Sequence, residues 1–381
     1  MNILYLADPG LIHDLKWMRF FTPNHNCFVV ARAHHQAHLQ SPQWKQFLAE
    51  ENVEYLGQIE DFSIRHFLRS RQEMNKLATW VKEYKIDLIH LFYAEPNALW
   101  AYFRKSLGVK MVLTSRGTDV LQTIPQFFQA GGWKNGLIRH FYGRAFGQLD
   151  QIVSTSLRQA QSIEQYFPQV QKEIAIIRTG VDVDLFEEEQ PHALPPELKD
   201  KQFVFFPRAM RPLYQQELAI AAIELLPKSI LSKYHFVFVN KDGKEFAYLD
   251  QIAQLMENGE ANYIWLPNLR QEALWQSYKS ANLVVMTPKS DGTPVTAIEA
   301  MLSKTPLILP PLAYDEDLFS ETCLQFKEWN AKSLAQEIQQ ALVKPQTKMV
   351  EEAYLRAKGL ADRKTEMTRL GQIYDKLVPN N

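Results

Sequence analysis

Residues 282–310 decide the fold. They read Asn282-Leu283-Val284-Val285-Met286, then Thr287-Pro288-Lys289-Ser290-Asp291-Gly292-Thr293, then Pro294-Val295-Thr296-Ala297-Ile298-Glu299-Ala300-Met301-Leu302, and finally Thr305-Pro306-Leu307-Ile308-Leu309. An apolar block, a polar glycine turn, a helix-forming run and a second apolar block predict strand, loop, helix and strand. Thr293 is the expected N-cap and Pro294 the expected first helical residue, where proline costs nothing. A helix start behind a glycine turn offers unpaired N–H groups and a positive dipole end, which suit phosphate. Glu299 then lies roughly 8 Å along the axis at 1.5 Å per residue, within reach of the ribose of a nucleotide whose phosphates sit at the helix start. Asp291 stays in the loop, close to whatever those phosphates carry. The stretch therefore points to a nucleotide-sugar site.

Outward from it, apolar runs alternate with helical patterns along most of the chain, the signature of parallel sheets with crossover helices. Expected strands in the first half are 3–7, 27–31, 53–56, 88–92, 110–114, 151–154 and 174–177. After a turn at Gly180 comes the polar, proline-rich text of residues 187–200, read as part of a linker. Strands resume at 202–206, 235–240 and 263–266, and the last 50 residues read as helices. The predicted organisation is an N-terminal Rossmann-like lobe over 1–185, a linker over 186–200 and a C-terminal Rossmann-like lobe over 201–360. A C-terminal helix over 361–381 can return to the first lobe. In such folds ligands bind at strand C-termini, here expected in a crevice between the lobes.

Composition narrows the function classes. At 381 residues, 46% hydrophobic and 22% charged, the chain matches a soluble globular enzyme. Its net charge of −1 excludes a general polyanion binder, although the first 180 residues carry an excess of Lys and Arg. Two cysteines without metal-ligand spacing speak against a disulfide framework or a cysteine-built metal centre. No signal peptide and no bilayer-long apolar run are evident, so the expectation is a cytoplasmic protein with peripheral membrane contact at most.

Two acids eight residues apart decide little in a chain with 43 of them. The surrounding text does more. Residues 290–301, from Ser290-Asp291-Gly292 to Glu299-Ala300-Met301, resemble the donor-site motif of retaining GT-B glycosyltransferases of family 4. There two acids at this spacing, usually both Glu, bind the donor. The resemblance assigns Glu299 to the nucleotide ribose and Asp291, shorter by one methylene, to donor-sugar hydroxyls. Gly292, Thr293 and Val295 form the phosphate-facing turn and helix start. Phe206-Pro207-Arg208-Ala209-Met210-Arg211 is similar to the family's diphosphate-binding segment. Arg208 matches its Arg, and Leu213 stands where the family has Lys, which leaves Arg211 as the substitute cation. A guanidinium binds phosphate bidentately and stabilises a leaving diphosphate without metal. The loop holding Leu266 matches the base-reading loop, which acts largely through backbone groups.

In the first lobe Ser115-Arg116-Gly117-Thr118-Asp119 takes the place of the family's His-Gly-Ser/Thr-Asp loop. The catalytic-side His is Arg116 here, which cannot shuttle protons at neutral pH. Asp119 matches a residue expected to be structural. Gly10 and His13 follow the first strand in a loop that approaches donor phosphate or acceptor, and Tyr93 follows another strand end. All four, Arg116 apart, are candidates for the acceptor side.

The resemblance thus implies an α/β fold of two Rossmann-like doubly wound lobes facing across a cleft, with C-terminal helices. The implied reaction is metal-independent, retaining transfer of a hexose-type sugar to an acceptor hydroxyl. Its co-substrate would be a nucleoside-diphosphate sugar with no separate cofactor, and the setting would be bacterial surface polysaccharide or glycoconjugate synthesis. The acceptor would be a glycan or a lipid-linked molecule, and no nucleic acid is involved. Basic-aromatic segments such as Trp133-Lys134 and Arg139-His140-Phe141-Tyr142 could touch the inner face of a membrane. Alternatives are a degenerate nucleotide-sugar-binding scaffold, motivated by Arg116 and Leu213, and a nucleotide-sugar epimerase. A nicotinamide oxidoreductase ranks below both because the first strand is followed by Gly10 alone, not G-x-G-x-x-G.

Overall fold

The computed structural model describes residues 1–188, 191–241 and 243–379. Two compact units emerge: Met1–Thr179 together with the segment from Lys364, and Gly180–Arg363.

The first unit holds a parallel sheet of seven strands: β1 (Asn2–Leu6), β2 (Asn26–Arg32), β3 (Val53–Ile59), β4 (Leu88–Phe92), β5 (Lys110–Ser115), β6 (Gln151–Ser154) and β7 (Ala175–Ile176). Their order is β3-β2-β1-β4-β5-β6-β7. Helices cover both faces, so the strands are apolar at nearly every position. In β1, Leu4 and Leu6 enter one core while Ile3 and Tyr5 enter the other, the period of two that a pleated strand dictates. The C-terminal helix Arg363–Leu377 belongs here. Met367, Leu370 and Tyr374 are fully buried against the Ile3/Tyr5 core, and the Tyr374 hydroxyl meets His90 Nδ1. Truncating one such side chain costs about 2–5 kcal/mol.

The second unit repeats the plan with β8 (Phe203–Phe206), β9 (His235–Phe238), β10 (Asn262–Trp265), β11 (Leu283–Val285), β12 (Leu307–Leu309) and β13 (Leu324–Gln325). These lie in the parallel order β10-β9-β8-β11-β12-β13. Phe203 and Phe205 face one core, Val204 and Phe206 the other. In both sheets the order reverses beside the first strand, between β1 and β4 and between β8 and β11. A parallel sheet opens a ligand crevice at the strand C-termini of such a reversal.

The boundaries differ from the sequence reading. The first unit ends at Thr179 rather than 185. Gly180 sits at φ +64°, and a Cβ there would lie 2.7 Å from the Ala361 carbonyl. The next residue, Val181, pairs with Asp362. The expected linker over 186–200 is largely structure: Val183–Glu187 is helical, Pro196–Leu198 forms a 3-10 turn, and Phe186 and Leu198 are buried in the second unit's core. Positions 189 and 190 of that reading lie outside the described residues.

Candidate active site

In the second unit, β8 and β11 deliver two loops to the reversal point. Thr287 donates its hydroxyl to the Tyr214 carbonyl (2.7 Å), and the Lys289 N–H donates to the Leu213 carbonyl (2.9 Å), which stitches the loops together. Arg208 follows β8 and is the hub. Its Nη2 lies 3.0 Å from Asp291 Oδ2, its Nη1 donates to Thr296 Oγ1 at 2.7 Å, and its guanidinium carbon sits 4.0 Å from the Tyr214 ring centroid. Burial alone would lower its pKa. The Asp291 carboxylate, with surrounding tyrosines, outweighs that and raises it, so the charge is permanent. Asp291 also accepts from the Gly292 N–H through Oδ1 (3.0 Å).

The helix Val295–Leu302 begins one residue later than the sequence reading has it, and with a different cap. Pro294 is the N-cap and makes no side-chain cap bond. Thr293 instead gives its hydroxyl to Asp315 Oδ2 at 2.7 Å. The cap expected from Thr293 fails because a carboxylate remote in sequence outcompetes the helix N–H groups. Glu299 is buried, and Trp275 Nε1 donates to its Oε1 at 2.9 Å. A buried carboxylate needs such a donor. Leu266, expected in the base-reading loop, is buried, its N–H donates to the Phe238 carbonyl and its own carbonyl accepts from the Lys241 N–H. A cavity of about 320 Å³ opens beside it, lined by Met210, Arg211, Asn240, Lys244 and Asn268 among others. Arg211 is exposed on its rim.

In the first unit, a cavity of about 210 Å³ sits at the β1/β4 reversal, lined by Asp8, Leu11, Asp14, Arg32, His35, Phe92, Tyr93 and Asn97. Tyr93 has φ +69° and its hydroxyl meets Thr118 Oγ1 at 2.7 Å. Gly10 donates its N–H to Asp8 Oδ1 at 2.8 Å. His13 is exposed on the first helical turn and does not line the cavity; the residue that does is its neighbour Asp14. Asp119 is fully buried and accepts from the N–H groups of Ala94, Arg116, Gly117 and Val120. Burial raises its pKa against those bonds. Its oxygens shape the loop and leave no face toward an acceptor.

Arg116 is packed by neighbours from its own unit. Its Nη2 donates to Asp14 Oδ1 at 2.8 Å, and its guanidinium carbon lies 4.4 Å from the Trp17 ring centroid and 4.7 Å from that of Phe92. Nε and Nη1 are buried without a hydrogen-bond acceptor. Burial raises the Asp14 pKa, and Arg116 opposes it. Arg116, expected on the catalytic side, is thus held within its own unit by the Asp14 ion pair and two aromatic rings. Trp275, Thr296 and Asp14 carried no local sequence signal, because each acts through a partner on another element.

The family described as Glycosyltransferase Family 4 matches residues 29–185, and that described as Glycosyl transferases group 1 matches residues 187–356. The chain belongs to the family 4 glycosyltransferases of GT-B fold. Solved glycosyltransferases share that fold across their whole length. One from Rickettsia africae ESF-5 is 15% identical at TM-score 0.78, covering 100% of this chain and 99% of its own. Anabaena Alr3699/HepE, in complex with UDP and glucose, is 16% identical at TM-score 0.71, covering 99% and 100%. WaaG, a glycosyltransferase involved in lipopolysaccharide biosynthesis, is 14% identical at TM-score 0.69 and covers both chains fully. No curated protein sequence matches this chain. Among the described residues of this glycosyltransferase, no helix is long and apolar enough to cross a membrane.

Proposed function

We propose that this glycosyltransferase moves a hexose-type sugar from a nucleoside diphosphate to an acceptor hydroxyl with retention of configuration and without a metal on the diphosphate. Arg208 carries this reading: a buried, permanently charged guanidinium at the β8/β11 reversal, tied to the start of the helix that bears Glu299. Arg208 would bind the diphosphate and stabilise its charge as the C1–O bond breaks. The acceptor hydroxyl forms the new C1–O bond and gives its proton to the departing phosphate oxygen. Glu299, fixed by Trp275, takes the ribose hydroxyls, and Asp291 takes hydroxyls of the donor sugar. Gly292, Thr293 and Val295 frame the phosphate, and Arg211 supplies the second cation. The base meets Asn240 and Asn268 in the neighbouring cavity. The first unit takes the acceptor beside Gly10 and Tyr93. The nucleotide sugar is a co-substrate, and this reading assigns the transfer step no separate cofactor.

The expected setting is bacterial surface polysaccharide or glycoconjugate synthesis on the cytoplasmic side of the membrane, with peripheral contact through the exposed Trp133 and neighbouring Lys134. WaaG's part in lipopolysaccharide biosynthesis supports this placement. Calorimetric screening against UDP, GDP and ADP sugars tests the donor assignment, and NMR of the product tests retention. One donor binding with EDTA-insensitive affinity and a retained anomer support the proposal; no binding, or an inverted product, refutes it. A non-catalytic nucleotide-sugar-binding module is the second reading, favoured by the closed packing of Arg116. It predicts donor binding without hydrolysis or transfer, whereas an altered sugar formed without acceptor would mark an epimerase.

A further inference from the structure

The 3-10 segment Ala33–Gln40 directly after β2 carries His34, His35 and His38. Two of these converge on Asp8 in the loop after β1: His38 Nδ1 lies 2.7 Å from Asp8 Oδ1, and His35 Nε2 lies 3.3 Å from Asp8 Oδ2. One atom from each of the three residues falls within 4.8 Å of the others. Gly10 makes room for this convergence, because a Cβ there would stand 2.7 Å from the His38 ring.

The hydrogen-bond accounting at His35 does not close. The ring is buried, and Arg32 Nη2 approaches Nε2 at 3.1 Å, which requires a lone pair on Nε2 and places the hydrogen on Nδ1. Nδ1 is buried without a partner. The Nε2 lone pair then faces the Asp8 carboxylate with no proton between them. The other tautomer serves Asp8 but sets an N–H against the Arg32 N–H. A doubly protonated ring adds charge beside a guanidinium inside the protein. A cation between Nε2 and Oδ2 removes the mismatch.

We propose that Asp8, His35 and His38 bind a divalent first-row transition metal, with Zn²⁺ the best fit. Two imidazoles and one carboxylate are a donor set that Zn²⁺ accepts in tetrahedral geometry, with the fourth position left open. Bonds of roughly 2.0–2.1 Å put ligand atoms about 3.3 Å apart, which the Asp8–His35 pair already matches. The His38 ring, half exposed, has to retreat only slightly. Asp8 and His35 also line the 210 Å³ cavity, which offers space for a further ligand beside such an ion. Arg32 has a second seat, since its Nη1 lies 3.5 Å from Asp61 Oδ1, where His34 Nδ1 also reaches Oδ2 at 3.0 Å. Asp8 and Asp14 line the cavity beside Arg32, whose charge Asp61 also faces, so the local charge does not oppose a cation. The ion would clamp the loop after β1 to the segment after β2, and this holds whether or not the donor-site assignment stands.

The test is calorimetric titration of the metal-stripped full chain with Zn²⁺, paralleled by the visible absorption of Co²⁺ as a geometry probe. The expected result is one ion per chain with a tetrahedral Co²⁺ spectrum. Affinity should fall at least tenfold or so in His38→Ala and Asp8→Asn, and by about tenfold in Gly10→Ala, which only displaces a ligand. Arg32→Gln should bind more tightly, since it removes the competitor for Nε2. Circular dichroism confirms that each variant is folded. No binding, binding unchanged in folded His38→Ala, or weaker binding in Arg32→Gln would each overturn the proposal.

Discussion

Arg208 and Arg116 invite comparison, one from each unit. Each follows the end of a strand, pairs with an aspartate from another element and lies against aromatic rings, and their side chains are 13% and 11% exposed. Their surroundings differ in one respect. Arg208 spends its Nη groups on a loop carboxylate and a threonine hydroxyl, polar partners that a phosphate can replace. Arg116 is closed between Trp17 and Phe92, with Nε and Nη1 turned to surroundings that accept no hydrogen bond. The same side chain thus has polar partners that a ligand could replace in one unit and aromatic packing in the other. What separates them is the replaceability of their partners, which no local sequence motif records.

The largest effect is expected at the packing group. Arg116→Met leaves Asp14, 2% exposed, as an unpaired buried carboxylate and should cost about 3–5 kcal/mol of stability in urea unfolding. Asp14→Leu combined with Arg116→Met should recover most of that loss, and a single-variant cost below about 1 kcal/mol would break the comparison. Next comes Arg208→Met, which should lower kcat by about 10²–10³ while the fold stays intact. An effect confined to stability would place Arg208 in the same class as Arg116. The smallest is Trp275→Phe, which removes the indole N–H from Glu299 and should weaken nucleotide binding about tenfold, or ~1.4 kcal/mol. Unchanged affinity would mean that Glu299 needs no orienting partner.

The fold was legible because strands buried on both faces write themselves as continuous apolar runs; Leu88–Phe92 and Gln151–Ser154 coincide with their expected spans. The supposed linker was misread because polar, proline-rich text conceals two anchors, Phe186 and Leu198, whose burial depends on the rest of the second unit. Thr293 was misread as a cap because its partner, Asp315, is remote in sequence. His13 drew attention as a titratable residue while Asp14 took the buried position, a choice set by helix phase and by Arg116 across the fold. Arg208, Asp291 and Glu299 were legible through spacing and resemblance; the threonine and the tryptophan that orient them were not.

The most direct test of the central claim is a side-by-side calorimetric titration of Glu299→Ala and Asp291→Ala with the nucleoside diphosphate of the preferred donor. Asp291 Oδ2 lies 3.0 Å from Arg208 Nη2, a contact that a bound phosphate would have to displace. The account therefore predicts that Glu299→Ala loses measurable nucleotide affinity, while Asp291→Ala binds the diphosphate as well as or better than the parent chain and fails in sugar transfer. Equal loss of nucleotide binding in both variants would contradict it.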